Sequence, residues 1–579
     1  MVKFCRVRLR WLFPSLGGLS LFFASDGFAA AIWTNPGDGF WRDGTNWSSG
    51  RVPSADGGST LITNANTKTV TIDAFTLSTN LTINSLTISG SATTTNTLLL
   101  QDAGTNNPLT LVSSELKLAQ GGALIITNSS LVLTGSFSQG LNLLAGDIVL
   151  HSGSIRIVED PAVTNITVLA RIGRTNAASL TINGGTMEAG TLRLGETPFV
   201  QFASQGTVRI TGGLVSLSSE LSVGDGISGT GLVEVLGGQL RVANNQTNIT
   251  RVGDAGVGQL VVSNASAYIG NVSVARHDGA RGTLIVQSNG LVHLTDDLSI
   301  GRFSGATGEV LVAGGQLEVV DNQIWVGREG LGRLTVSSGL AQAQSLEVAA
   351  VATNTSFGTV MLIGGSLVLS SNLVVGSESN SIAEMVVNGG VLTVTNSNAS
   401  ALFDFRRGVF TMEGGTMTVD RLLVTNSGAQ FVGNGGAVRA RGTRVSNGRP
   451  FVVGDGTKPA VFELLGGTHS FSDGLVISSN ATLKGCGTIV GNIVNHGTIA
   501  TNCSAVPTRP VIVNVDRTGN AVRFSFDSEN GFAYTVEHKI VLNDPSWTVL
   551  RTETGTGGSI SITNTIGPEP TRFYRVRVE

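Results

Sequence analysis

Acids and bases recur at equivalent places in the middle of this chain: Asp225, Asp254, Arg276-His277-Asp278, Arg302, Arg328-Glu329 and, further on, Asp455. Each stands at the corner that follows a short apolar run. Two carboxyl groups at a fixed separation on neighbouring turns of chain would suit glycoside chemistry, one as acid and the other as base or nucleophile. Asp225 and Asp254 are the pair to consider. The competing reading is turn chemistry, because Asp beside Gly sets corner geometry and mixed signs avoid stacking like charges. His277 and His293 stand alone without the spacing of metal ligands. No phosphate-cradling loop, nucleophile elbow or calcium nonapeptide accompanies them. Trp325 is a lone aromatic, where a glycan groove calls for several. The sequence therefore assigns no catalytic residue, cofactor site or metal site.

The elements that carry these corners repeat. Gly206, Gly231, Gly258, Gly282, Gly308, Gly332, Gly358, Ala383 and Gly408 open successive units at steps of 24 to 27 residues. A fixed period of this size marks a repeat architecture. Each unit reads as three short strands. Strand A is G-x-[LV]-x-[VI], as at Leu284 and Val286. A turn follows, most often a glycine pair such as Gly212-Gly213, Gly314-Gly315 or Gly389-Gly390. Strand B is x-L-x-V, as at Leu317 and Val319. Strand C is L-x-V-G, as at Ile324 and Val326. Gly and Asn suit the positive φ of sharp corners. The pattern predicts an all-β fold, a right-handed, single-stranded parallel β-helix with three-strand coils of about 25 residues. A β-propeller needs about 40 residues and four strands per blade, which does not fit.

Sorting the outward positions separates the strands. On strand B they include Arg241, His293, Glu318 and Thr393, a solvated set. On strand A they are Val261, Ile285, Leu311, Thr335, Met361 and Val386, nearly all apolar. Exposed apolar rows mark contact surfaces, so Val261, Ile285, Leu311, Met361 and Val386 are the candidate contact stripe, for a partner, a second copy or the C-terminal module. The alternative is β-propensity alone, since Val and Ile suit strands on either face.

Composition narrows the classes. Hydrophobic residues make up 41% and recur with period two, which argues against disorder. With 37 basic and 40 acidic residues the chain lacks the basic footprint of a nucleic-acid binder. Lys3, Arg6, Arg8 and Arg10 followed by the apolar 11–24 and Ala29-Ala30-Ala31 read as a secretory signal peptide over residues 1–31, an uncleaved anchor being the alternative. No later stretch is long enough to span a membrane as a helix. Cys486 and Cys503 lie 17 residues apart, and in an oxidising compartment they suit a disulfide; two free buried thiols are the alternative.

The ends differ from the middle. Residues 32–60 hold Trp33, Trp41 and Trp47 among turn residues, which suits an N-terminal cap over the open end of a repeat core. A platform of exposed tryptophans stacking on sugars is the alternative. Residues 61–503 read as the β-helix, on the order of 17 coils at one strand spacing each. A proline-containing linker, 504–510, leads to 511–579, where six or seven strands with frequent turns predict a small antiparallel β-sandwich.

The segments FWRDGTNWSSGRVPSADG and ATLKGCGTIVGNIVNHGTIA, with the GTLxVxxGGxLxVxxxLxVG rhythm between them, resemble bacterial secreted proteins with autotransporter-associated β-strand repeats. The resemblance covers most of residues 32–503. It implies a parallel β-helix exported to the cell surface or exterior, often with an adhesive role. The chain departs from that pattern in offering no stretch for a translocating barrel before Glu579, so self-translocation is not expected. The sequence reading is a non-catalytic, secreted or surface-exposed structural or adhesion protein. Its partners would be protein, self or cell-surface glycan, with no nucleic acid. The alternative is a carbohydrate-active lyase or hydrolase, or a glycan-binding β-helix.

Overall fold

A computed structural model describes residues 29–55, 58–112, 115–135, 140–159, 168–197, 204–243, 249–350, 356–501, 509–530, 532–542, 544, 546–567 and 571–578. Residues 1–28, which make up most of the 1–31 stretch read as a signal peptide, Cys503 and most of the 504–510 stretch read as a linker lie outside them. The chain is an all-β parallel solenoid of about 17 turns followed by small antiparallel sheets. Its contacts divide it into Met1–Val233 with Gly237–Ala243, and Glu234–Leu236 with Asn244–Glu579. Among the described residues no helix is long and apolar enough to cross a membrane.

The period-two pattern explains the strands. In Val257–Ser263, Arg281–Gln287 and their neighbours, alternate residues point inward, and parallel pairing holds equivalent residues opposite each other: Leu260 faces Leu284, which faces Val310, which faces Leu334. One coil buries Leu284 and Val286 from sheet A, Val292 and Leu294 from sheet B, and Leu298 and Ile300 from sheet C, none of them exposed. Each such side chain is worth about 1.5–3 kcal/mol of transfer free energy before the entropy of ordering is set against it.

The expected break between strands A and B is absent in two coils. Thr307–Val326 and Leu331–Val348 each run as one strand through all three sheets. Gly314 at φ 95° and Asp321 at φ 53° turn the chain, and pairing with the neighbouring coils continues on either side. Where the glycine pairs do form turns, the second member takes the positive φ, as at Gly365, Gly390 and Gly415.

The N-terminal segment belongs to the ladder and covers its end. Ile32 pairs with Leu61 and Phe40 with Thr71, both parallel. Trp33 and Trp41 are fully buried and Trp47 is 2% exposed. Trp47 meets Trp33 edge-on at 5.1 Å and Trp41 at 4.7 Å, and its Nε1 donates to the Trp41 carbonyl at 2.9 Å. The sugar-platform alternative is overturned, since none of the three rings offers a face to solvent. Beneath them lies a polar plug. Lys68 points into the core, where Nζ donates to Asn96 Oδ1 at 2.8 Å and to the Asn64 and Asn66 carbonyls; burial holds its pKa below the ordinary lysine value.

Later coils exchange aliphatics for rings. Phe410, Phe431, Phe451 and Phe471 form a column with centroids 4.7–5.5 Å apart. Near the end of the array Cys486, in Ala481–Val490, is disulfide-bonded. We propose Cys503 as its partner. Peptide mapping without reduction should yield a Cys486–Cys503 link, and a Cys486 linked elsewhere would refute the pairing. Opening that loop should cost about 3 kcal/mol of local stability.

The C-terminal strands form two three-stranded antiparallel sheets. One holds Val513–Thr518, Ala521–Asp527 and Ser559–Thr565, the other Ala533–Lys539, Thr548–Thr554 and Phe573–Val578. Phe524, Phe526 and Ile562 from the first meet Tyr534 and Val536 from the second in a common core.

Candidate functional site

The corner acids are engaged one by one. Asp225 accepts from Ser222 Oγ at 2.6 Å and has Arg193 at 3.9 Å. Asp254 sits among Arg276 at 3.5 Å, His277 at 3.5 Å and Arg251 at 3.8 Å. Asp455 accepts from the amides of Thr457 at 2.7 Å and Lys458 at 2.9 Å, which push its pKa down to about 2. An acid catalyst needs its carboxyl raised, whereas Asp455 is held ionised in its turn. Asp225 and Asp254 are each taken up by a different set of partners, which is not the acid and base pair that glycoside chemistry needs. Each is neutralised by its own cations or amides, as the turn reading anticipates. Among the described residues no three His, Cys, Asp or Glu side chains gather as metal ligands.

Sheet B carries the polar outward row. Tyr268, His293, Glu318, Gln342, Val368 and Thr393 occupy equivalent positions. His293 Nδ1 lies 3.0 Å from Glu318 Oε2, and the Tyr268 and His293 rings lie 5.7 Å apart. Arg439 continues the row as a two-bond partner of Glu463 at 3.0 and 3.2 Å. Arg241 is exposed, its Nε donating to Gln239 on its own strand at 2.5 Å.

Sheet A carries the apolar one. Val261, Ile285, Leu311, Thr335, Met361 and Val386 stand in unbroken register. All point away from the core columns. All but Thr335 are half-buried, since each side chain covers its neighbours along the row; Thr335, the shortest, is buried between Leu311 and Met361. A second row on the same sheet was not singled out in the sequence. Leu331, Phe357 and Ile382, at the start of three successive strands, are 47%, 41% and 53% exposed. They lie just before Gly332, Gly358 and Ala383, which open their units, at what the sequence pattern treats as a corner.

Sheet C differs again. Its outward residues Ser273, Ser299, Trp325 and Glu347 are in register. Ser273 is fully buried and Ser299 is 2% exposed. The two serines lie in register between the longer side chains of Arg251 and Trp325. Trp325 is outward as expected, half-buried, with the Arg328 guanidinium over its ring at 5.0 Å. Comparison with family models, with curated proteins and with solved structures gives no match to this chain.

Proposed function

We propose that this chain is an exported, non-catalytic solenoid acting as a surface, matrix or adhesion protein, with sheet A as a contact face. The observation that carries the reading is the apolar outward row from Val261 to Val386, reinforced by exposed Leu331, Phe357 and Ile382. A lone exposed apolar residue needs no explanation, whereas a contiguous patch costs solubility unless something covers it. The rigid stacking of coils keeps that patch in one plane without ordering any loop. Neutralised corner acids speak against the lyase or hydrolase alternative. The signal-like residues 1–31 and the likeness to autotransporter-associated repeats support export and the family placement.

The test has two parts. Fractionation of the producing cells should place the mature chain outside the inner membrane; retention in the cytoplasm would refute export. Leu311→Glu with Met361→Glu puts two charges into the row without touching the core. Binding of the purified protein to cell surfaces, or its mass by light scattering, should fall by about tenfold in affinity. Unchanged mass together with unchanged surface binding would sink the contact-face reading.

A further inference from the structure

The corner beside sheet C carries a row of arginines that the chain itself neutralises only at its first member. Arg276, Arg302 and Arg328 occupy equivalent places in three successive coils, and each amide donates to the coil before, to Gly253 at 2.9 Å, Ala275 at 2.9 Å and Gly301 at 3.1 Å. Their Cα atoms are thus about 4.8 Å apart along the stack. Arg276 shares Asp254 with Arg251. Arg302 and Arg328 have no carboxylate within ion-pair distance among the described residues. They rest on rings instead, Arg302 at 5.3 Å from Phe303 and Arg328 at 5.0 Å from Trp325. Rings hold a guanidinium in place without cancelling its charge.

The equivalent face of the first unit shows that this is not forced by the repeat. There Glu196 meets Arg171 at 2.7 Å, Arg174 at 3.8 Å and Arg193 at 3.9 Å, and Glu220 and Asp225 also serve Arg193. In the second unit the remaining nearby acids are exposed Asp278, Glu329 beside Arg328, and Glu347, which accepts from Gln323 at 3.1 Å. Arg302 pays for the crowding: burial first, then Arg328, Arg276 and Arg251, hold its pKa below the ordinary guanidinium value, with Glu329 opposing. Polar atoms beneath the row also lack partners. Ser273 Oγ, fully enclosed, and the buried Nε atoms of Arg276 and Arg302 and Nε1 of Trp325 make no hydrogen bond. Buried donors without acceptors are uncommon in native structures, and all four of these can donate.

We propose that Arg276, Arg302 and Arg328, with Trp325 beside them, bind the acid groups of a linear anionic polysaccharide, its carboxylates or sulfates, running along the coil stack. Guanidinium groups take such oxyanions through paired N–H bonds, and one cation per coil suits a polymer with regularly spaced acids. A nucleic-acid duplex would call for a broad basic surface, and the chain's net charge of -3 supplies none. This adds a partner class to the adhesion reading but uses a different face, so the two fail separately.

The experiment is electrophoresis of the full mature chain through native gels holding polygalacturonate, dextran sulfate, neutral dextran or single-stranded DNA. At least one acidic polysaccharide should retard the protein, neutral dextran should not, and salt should weaken the effect. The two acidic gels separate carboxylate from sulfate preference. Arg302→Glu with Arg328→Glu should weaken binding at least about tenfold, whereas Leu311→Glu with Met361→Glu should leave it intact. Arg517→Glu with Arg523→Glu, an equal charge change in the C-terminal sheets, should also leave it intact. The proposal is overturned if the Arg302/Arg328 variant binds like the parent, if the Arg517/Arg523 variant loses as much, or if DNA is held more tightly than both polysaccharides. Arg302→Gln with Arg328→Gln should melt no lower than the parent, since relief of the mutual repulsion offsets the lost ring contacts; a lower melting temperature would assign the row to the fold instead.

Discussion

Replacing Trp47 with alanine is expected to loosen the first coils by about 3–5 kcal/mol, the range for removing a buried aromatic. The ring is 2% exposed and sits between Trp33 and Trp41. It also supplies the Nε1 donor to the Trp41 carbonyl, so the change leaves both a cavity and an unmade bond. In a solenoid each coil is stabilised chiefly by its neighbours, and an end unit unfolds without the rest. The loss should therefore be local. Hydrogen exchange in Ala31–Ile32, Gly39–Phe40 and Lys68–Ile72 should accelerate by ~10²–10⁴-fold, while Arg281–Gln287 keeps its protection. Uniform acceleration would show that the segment holds the whole array, and no acceleration would show that it is not a cap.

A comparably large effect is expected at Gly390. It adopts φ 71°, and a Cβ built there would lie 2.5 Å from the Gly365 carbonyl oxygen of the previous coil. Gly415 stands in the same relation to Gly390, also at 2.5 Å. The obstacle is backbone, which has no side-chain rotamer to give way. Gly448 isolates the two costs, because its φ of 79° is similar but nothing lies within 4 Å of the added atom. Asn tolerates positive φ, so Gly448→Asn should cost less than about 1 kcal/mol, whereas Gly390→Asn should cost about 3 kcal/mol through the clash. Urea titration of the two variants measures the difference. Equal midpoints would mean that the coils can separate locally to admit a side chain, and the glycine column would then reflect φ alone.

The coil was legible because its code is redundant. Leu284 and Val286, Leu317 and Val319, and Ile324 and Val326 are repeats of one inward pair, and all six are fully buried. The outward position of the apolar row was legible for the same reason, since position along a period-two strand fixes the face. Lys68 and His469 were not legible. Both fall on inward positions where a charged or polar residue would ordinarily break the pattern. Lys68 is accommodated by carbonyls from the adjoining turn. His469, fully buried, lies 3.0 Å from Thr443 Oγ1 and donates Nε2–H to the Gly466 carbonyl at 2.9 Å, and burial lowers its pKa. Such partners come from a different coil or a turn, and no period within one unit announces them.

By itself the sequence determined the period, the parallel stacking, the inward columns and the change of architecture after the linker. Those follow from local spacing, and every coil repeats them. Only the tertiary structure decided what the corner charges do. Asp225, Asp254 and Asp455 look alike in the chain, yet one is held by Ser222 and Arg193, one by two arginines and a histidine, and one by backbone amides. Arg302 and Arg328 look no different from Arg193, yet they alone of these three lack a carboxylate partner among the described residues. A charge is defined by its neighbours in three dimensions. In this fold those neighbours come from the coils above and below, about 25 residues away along the chain.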